Sequence, residues 1–369
     1  MAPRPLAVAT IVAKNYLSLA RVMADSLHRR HPDVPVFVLL SDDVAGHFDP
    51  AAESFHLVRL PDVGIPELQR VRFRYARKEL AVAAKPYLLS HLLDRGFRAA
   101  LFLDPDILVL GELTSLFSHV QQHAAVLVPH VLAPLTGEAR AGRELDILRS
   151  GTYNAGCIGV SDHPSARQFL RWWQRRVFAH CRHDVAAGVY YDQRWLDLAP
   201  IFFEDVFVLR DPTYNVAHWN LPERRLDIRG DAVVVDGQPC RFFHFSGFDP
   251  DRPDAVTRYS PRLRMNDIGS AAELFRRYVA LLDSAGYRET KTWPYAYDRF
   301  DNGVAVTDRM RAIYRDLGTA AGRFGDPLVT TERESFFAWL KRAGELPRAY
   351  QAGDWLRRFI LGQRRWRER

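Results

Sequence analysis

The chain has 369 residues, 47% hydrophobic and 26% charged, an ordinary globular composition and enough for one large domain with appendages or for two. Its formal charge of +7 is concentrated at one end: Arg357 to Arg369 hold six arginines against one glutamate, so a general nucleic-acid-binding face is not supported. No run approaches the roughly 18 apolar residues of a membrane span, and Cys157, Cys181 and Cys240 are too few and scattered for a disulfide framework or a zinc site.

In chain order, Leu6 to Ala13 is an apolar run that reads as a first strand and is too short and wrongly flanked for a secretory signal. With cysteines so few and scattered, a reducing, cytoplasmic compartment is the expectation. A helix follows from about Leu19 to Arg29, with Leu19, Val22, Met23 and Leu27 at helical spacing. Val34 to Leu40 is a second strand and Phe55 to Leu60 a third. This β-α-β-β opening favours an α/β fold with mostly parallel strands. Tyr75 to Leu93 carries a leucine stripe interrupted by Pro86, so a helix starts near Ala84 or kinks there. Ala99 to Leu103 is a fully apolar strand, followed by helix and strand patterns at Glu112 to Gln121 and Ala125 to Pro129. His130 to Ser150 reads as a polar connection. Tyr153 to Val160 is a strand, a tryptophan-rich helix comes next, and Asp192 is placed to cap a further helix. Asp205 to Arg210 and Arg241 to Phe245 are short strands, and Leu226 to Val235 a hairpin about Arg229-Gly230-Asp231. Helices are expected at Ala271 to Leu282, Asp308 to Leu317 and Ser335 to Leu340. The change of character near residue 268 divides a catalytic-type domain, 1–268, from a mainly helical region, 269–369, with a basic tail at 357–369.

The most informative stretch is Leu103-Asp104-Pro105-Asp106. Carboxylates at the carboxyl end of a central strand sit where open α/β sheets bind ligands. Asp-x-Asp sets two hard oxygen donors close together, which suits a divalent cation that itself carries phosphates. A pair of surface aspartates closing a turn around Pro105 is the plainer alternative.

Lys85-Pro86, Asp104-Pro105-Asp106, Asn154-Ala155-Gly156 with Asp192-Gln193, and His244-Phe245-Ser246-Gly247 follow one another along the chain. In that order and spacing they resemble the retaining glycosyltransferases of the GT-A fold typified by glycogenin and the bacterial lipopolysaccharide galactosyltransferases, the family 8-like group. The resemblance covers about residues 6 to 249. It implies a mixed, mostly parallel sheet flanked by helices, with a mainly helical C-terminal appendage. It also implies a metal-dependent enzyme of glycan biosynthesis that transfers a sugar, with retention, from a UDP-sugar to a glycan, lipid-linked or protein acceptor.

Carried over residue by residue, Asp104, Asp106 and His244 match the metal ligands, and two carboxylates with one imidazole fit Mn²⁺ somewhat better than Mg²⁺. Thr10, Ala13, Asn15 and Tyr16 fall where the family places base and ribose, with Gly247 near the phosphates. Lys85, Asn154, Ala155, Gly156 and Asp192 match donor-sugar and phosphate contacts. Asp192 and Gln193 are the catalytic candidates. An amide oxygen is a poor nucleophile, so the better role for Gln193 is to stabilise positive charge developing on the sugar ring.

Each residue also has a plainer reading: a satisfied core histidine for His244, a solvated helix cation for Lys85, a turn residue bonding its own backbone for Asn154, an N-cap for Asp192 and core packing for Tyr16. One departure stands out. The family's lysine-proline-tryptophan continuation after the histidine segment is replaced by Phe248-Asp249-Pro250-Asp251-Arg252, leaving Arg252 or the metal to serve the diphosphate. The aromatic run Trp293 to Asp301 suits either sugar stacking or a packing seam. Trp355, Leu356, Phe359 and Ile360 beside the tail arginines suit peripheral contact with an anionic inner membrane face, or a docked terminal helix. Two other function classes stay open: a non-catalytic sugar-nucleotide- or carbohydrate-binding protein on the same fold, and a haloacid-dehalogenase-like phosphatase using Asp104 and Asp106.

Overall fold

The computed structural model describes residues 4–135 and 140–346. The amphipathic basic end, and the membrane contact expected of it, lie outside these residues. Among them no helix is long and apolar enough to cross a membrane. Cys157, Cys181 and Cys240 are buried and unbonded.

The chain runs β1 (Ala7–Val12), α1 (Leu17–His28), β2 (Val36–Leu40) and β3 (His56–Arg59), then α2 (Leu68–Arg74), α3 (Arg77–Ala83) and α4 (Lys85–Asp94). It continues through β4 (Ala99–Leu103), β5 (Ile107–Val109), α5 (Thr114–Gln122), β6 (Ala125–Pro129), α6 (Arg140–Ser150), β7 (Tyr153–Ser161) and α7 (Pro164–Ala179). The strands β8 (His183–Asp184) and β9 (Val189–Tyr190) precede α8 (Ala199–Phe202), β10 (Val206–Val208), β11 (Val216–Ala217), β12 (Leu226–Arg229), β13 (Ala232–Val235), β14 (Gln238–Pro239) and β15 (Phe242–His244). The helices α9 (Ala271–Ser284), α10 (Tyr287–Thr290), α11 (Asp308–Asp316) and α12 (Phe336–Arg342) complete it.

Contacts group residues up to 65 with 77–295, and separately 66–76 with 296 onward. The first unit is built on a seven-stranded sheet of order β10-β6-β7-β4-β1-β2-β3. All its pairings are parallel except the two made by β7, which runs antiparallel to β4 and β6. This is the mixed, mostly parallel sheet that was expected. Every residue of β1, β2 and β4 is buried, which explains why these strands read as continuous apolar runs instead of alternating ones. On one face Val8, Val38, Leu101 and Leu103 pack with Leu17, Met23 and Leu27 of α1 and Leu116 and Val120 of α5. Gly159 on β7 permits that contact, since a Cβ there would stand 2.3 Å from the Val120 side chain.

A second sheet, β11-β15-β5, takes over where β4 ends. Asp104-Pro105-Asp106 is the crossing between the two sheets. A turn closes it, with the Ile107 amide donating to Asp104 O at 3.1 Å, and the Phe245 amide donates to Asp106 O at 2.8 Å. The site therefore sits on the seam of two sheets.

Three local differences from the sequence reading have simple causes. The segment read as a polar connection contains α6, an amphipathic helix whose Arg143 and Glu144 are fixed by Glu223 and Leu135. The interrupted leucine stripe is two abutting helices, with Ala84 between them and Pro86 in the first turn of α4. Asp192 caps no helix: its carboxylate turns inward to Lys85, and the following 3₁₀ turn has no side-chain cap.

The contact division also falls elsewhere than residue 268. Leu274, Phe275, Tyr278 and Leu282 of α9 join the core of β13 and β15, so that helix completes the first unit. In the second unit, Phe73 meets Tyr314 and Phe336 edge to face at 5.0 and 5.2 Å. Buried Arg311 binds the carbonyls of Phe73, Tyr75 and Tyr297 at 2.5, 2.9 and 2.7 Å. Of the aromatic run, Tyr295, Tyr297 and Phe300 are buried, as a packing seam requires.

Candidate active site

The turn after β4 and the end of β15 bring Asp104, Asp106 and His244 together. Their ligand atoms lie within 4.8 Å of one another. His244 Nε2 is 3.1 Å from Asp106 Oδ1 and 3.7 Å from Asp104 Oδ2; the imidazole is buried while each carboxylate side chain is about a quarter exposed (25% and 28%). The other ring nitrogen, Nδ1, is held at 3.3 Å by Asn215 Oδ1, and Trp219 packs edge-on against the ring. Nε2 makes no aligned hydrogen bond despite its burial. A ring nitrogen without an aligned partner and two carboxylates thus face one another, a set of ligand atoms that fits a divalent cation. Burial works against charge on both partners. Even so, Asp106 and Asp104 raise the His244 imidazole above its ordinary value, and His244 holds the Asp106 carboxyl below its own.

Gly156 shapes the gap. A Cβ at this position would lie 2.5 Å from His244 Cε1, 2.6 Å from Asp104 Oδ2 and 2.8 Å from Asn154 Oδ1. Its carbonyl accepts the Asp104 amide at 2.8 Å, so the start of β7 both positions the carboxylate and leaves it room.

The next layer is built around Lys85. Pro86 and the short rise of α4 bury its ammonium to 1% exposure, so it is not a solvated helix cation. It donates to Ala155 O at 2.7 Å and lies 2.8 Å from Asp192 Oδ2 and 3.8 Å from Asp104 Oδ1, above the face of Phe102. Burial pushes the Asp192 carboxyl up against the pull of Lys85. The ammonium, which burial would push down, is held up by Asp192 and Asp104. A buried pair of this kind is costly to assemble and costlier to break.

Gln193 is nearly as fixed. Its Oε1 accepts from the Ala155 amide at 3.0 Å and the Asn154 amide at 3.5 Å, and its Nε2 donates to Ser150 O at 2.9 Å. Asn154 bonds its own strand, accepting from the Gly156 amide at 3.1 Å, while its Nδ2 faces His130 Nε2 at 3.3 Å. The metal-type trio and the Lys85, Asn154, Ala155, Gly156, Asp192 and Gln193 set are therefore contiguous.

Thr10, Ala13, Asn15 and Tyr16 line the end of β1 and the turn after it. Thr10 Oγ1, Asn15 Oδ1 and Ser41 Oγ are buried without partners among the described residues, an arrangement that leaves polar atoms ready for a ligand. Tyr16 is 38% exposed, so it is not core packing. Lys14 is taken up by Asp42, Nζ to Oδ2 at 3.0 Å. Gly247 has φ +73° and carries the Tyr259 ring and Thr257 Oγ1 where a Cβ would be.

Sequence reasoning missed Asn215, Trp219 and His130. None belongs to a recognisable pattern, and Asn215 takes its place through a left-handed backbone, φ 52°, that no spacing announces.

No protein-family model matches the chain. The uncharacterized protein YfnF of Bacillus subtilis (strain 168) is 24% identical over 249 residues, covering 66% of this chain and 81% of that protein. YfnD of the same organism is 26% identical over 245 residues, covering 65% and 76%. Among solved structures, the chain is similar to the galactosyltransferase LgtC in complex with donor and acceptor sugar analogues, with 17% identity, 75% of this chain and 95% of that one covered, and a TM-score of 0.44. It is also similar to the glycosyltransferase GlyE of Streptococcus pneumoniae TIGR4, with 15% identity, coverage of 81% and 67%, and a TM-score of 0.45.

Proposed function

We propose that the protein is a metal-dependent glycosyltransferase that moves a sugar from a nucleoside-diphosphate sugar, UDP being the preferred nucleotide, to a glycan, lipid-linked or protein acceptor with retention of configuration. The observation that carries the reading is the contiguity of the Asp104–Asp106–His244 gap with the buried Lys85–Asp192 pair at the carboxyl end of β4. A phosphate-bearing ligand and a hydroxyl-rich one would each find partners there, side by side.

Asp104, Asp106 and His244 would hold Mn²⁺ or Mg²⁺. When bound, such an ion neutralises charge gathering on a departing diphosphate. Asn215 fixes the imidazole tautomer that leaves Nε2 as the ligating atom. Asp192, held by Lys85, presents a buried carboxylate to donor-sugar hydroxyls, and burial excludes competing water. The Gln193 amide oxygen already accepts two hydrogen bonds, which suits a fixed dipole beside a developing positive charge better than a nucleophile. The acceptor's proton then goes to the departing phosphate oxygen on the same face of the sugar, and configuration is retained. Thr10, Ala13, Asn15 and Tyr16 would receive the nucleoside.

The test is a thermal-shift panel of nucleotide sugars with Mn²⁺, followed by donor turnover and proton NMR of the product. A true donor raises the melting temperature by mass action, and Asp106→Asn loses the metal-dependent part of the shift. Absence of any shift and any turnover across donors would overturn the reading. An inverted anomeric product would overturn its stereochemistry alone.

A further inference from the structure

Beside the buried constellation lies a group of cations with an unusual set of neighbours. Lys78, near the start of α3, donates to Tyr259 Oη at 3.0 Å, and its Nζ stands 4.5 Å from the centre of the Tyr191 ring and 5.1 Å from that of Tyr259. Arg258 donates to the same hydroxyl at 3.4 Å and lies 5.3 Å from the centre of the Tyr259 ring. Arg77 lies 5.8 Å from the Tyr16 ring. Among the described residues no carboxylate comes within ion-pairing distance of Arg77, Lys78 or Arg258. Elsewhere in the same unit arginines such as Arg21 and Arg143 are paired with glutamates.

Ring faces attract a cation but leave its charge intact. Three like charges gathered this way repel one another unless an anion joins them. Donors are available for one: Lys78 spends one of three N–H groups on Tyr259, and the guanidinium of Arg258 has five. The cluster is also held in register with the trio. The Arg258 amide donates to Gly247 O at 2.9 Å and Thr257 Oγ1 to Ser246 O at 2.9 Å, only three and two residues beyond His244. The Tyr259 ring rests where Gly247 has no side chain. The field of Lys78 reaches Asp106, whose carboxyl it helps to hold down against burial and alongside His244. Arg252, the cation that the sequence offered for the diphosphate, makes no side-chain contact with this group. Its neighbour Asp251 is bound by Lys291 at 2.7 Å and Arg288 at 3.2 Å.

We propose that Lys78 and Arg258, aligned by the one Tyr259 hydroxyl that both address, form a clamp for the diphosphate of the donor. The clamp rests on the transferase reading. Tyr259 is then a positioning residue, and Arg77 adds long-range attraction.

Calorimetric titration with UDP, uridine and inorganic pyrophosphate, with Mn²⁺ and again with EDTA, tests this. Lys78→Gln and Arg258→Gln should each weaken UDP and pyrophosphate at least about tenfold, the size of one charge-assisted hydrogen bond, and leave uridine unchanged. Lys78→Arg should keep most of the affinity, and both glutamine variants should show a shallower salt dependence than the parent. Tyr259→Phe should weaken UDP without changing uridine. The three side chains are solvent-exposed, so unchanged melting temperatures are expected. Parent-like UDP affinity in both glutamine variants would overturn the clamp and leave the transferase reading standing. Failure of the parent to bind UDP or any other nucleoside diphosphate would overturn the transferase reading itself.

Discussion

The Cα of Gly156 faces His244 so closely that a methyl group on it would stand 2.5 Å from the imidazole Cε1. Glycine is needed here for space, since neither a positive φ nor a turn accounts for it. Gly156→Ala should keep the β4–β7 pairing, and with it most of the stability, while forcing His244 and Asp104 apart. Mn²⁺ affinity, read by electron paramagnetic resonance, is expected to fall about 10- to 100-fold, the range for displaced or unsupported ligands. Unchanged affinity would show that the ion sits elsewhere.

The Lys85–Asp192 pair allows stability and chemistry to be separated. Lys85→Met leaves the Asp192 carboxylate buried without its counter-charge, which should cost about 3–5 kcal/mol in urea unfolding. Adding Asp192→Leu removes the orphaned charge and should recover most of that loss, while donor turnover stays abolished in both variants. Recovery of turnover in the double variant would remove the pair from the chemistry.

His130 gives a pH dependence with a definite sign. Its Nδ1 donates to Thr152 O at 3.2 Å and its Nε2 faces the Asn154 amide at 3.3 Å, a pattern suited to the neutral ring. Burial pushes its pKa down to about 4 from an ordinary 6.5. Below pH 6.5 the unfolded chain takes up a proton that the folded one refuses. The contribution is therefore complete above pH 6.5, is lost as pH falls towards 4, and totals about 3 kcal/mol. Urea titrations of the parent and His130→Gln between pH 7.5 and 4.5 should show the stability gap between them shrinking by about that amount. A constant gap would mean that the ring is not held neutral.

Much of this site was legible because its main residues end or begin apolar strands. Asp104 and Asp106 follow β4, Asn154 and Gly156 open β7, and His244 closes β15, so hydrophobic runs bracket them all. Lys85 was legible as a position but not as a buried cation, because its burial depends on Pro86 shortening the approach to α4 and on Asp192, more than 100 residues away. Asp192 shows the opposite failure. Its local pattern predicts a cap, and a long-range charge outcompetes that local hydrogen bond. The clamp residues lie in loops and at a helix start, where exposure removes any periodic signal. The 66–76 segment could not be assigned to the second unit at all, because the group that claims it, Arg311, is 235 or more residues downstream of it in the sequence.

That arginine carries the last prediction. Arg311 is 2% exposed and donates to four carbonyls, those of Arg72, Phe73 and Tyr75 in the 66–76 segment and that of Tyr297. A guanidinium reaches all four because its donors diverge in a plane; an ammonium is a point charge on a flexible stem. Arg311→Met should leave those buried acceptors short of donors and destabilise the chain by about 3 kcal/mol or more. Arg311→Lys should recover less than half of the loss. Hydrogen exchange locates the effect: amides of 66–76 and 296–342 should lose protection while those of β4 keep it. Equal loss in β4 would show that Arg311 supports the whole chain and not the second unit alone.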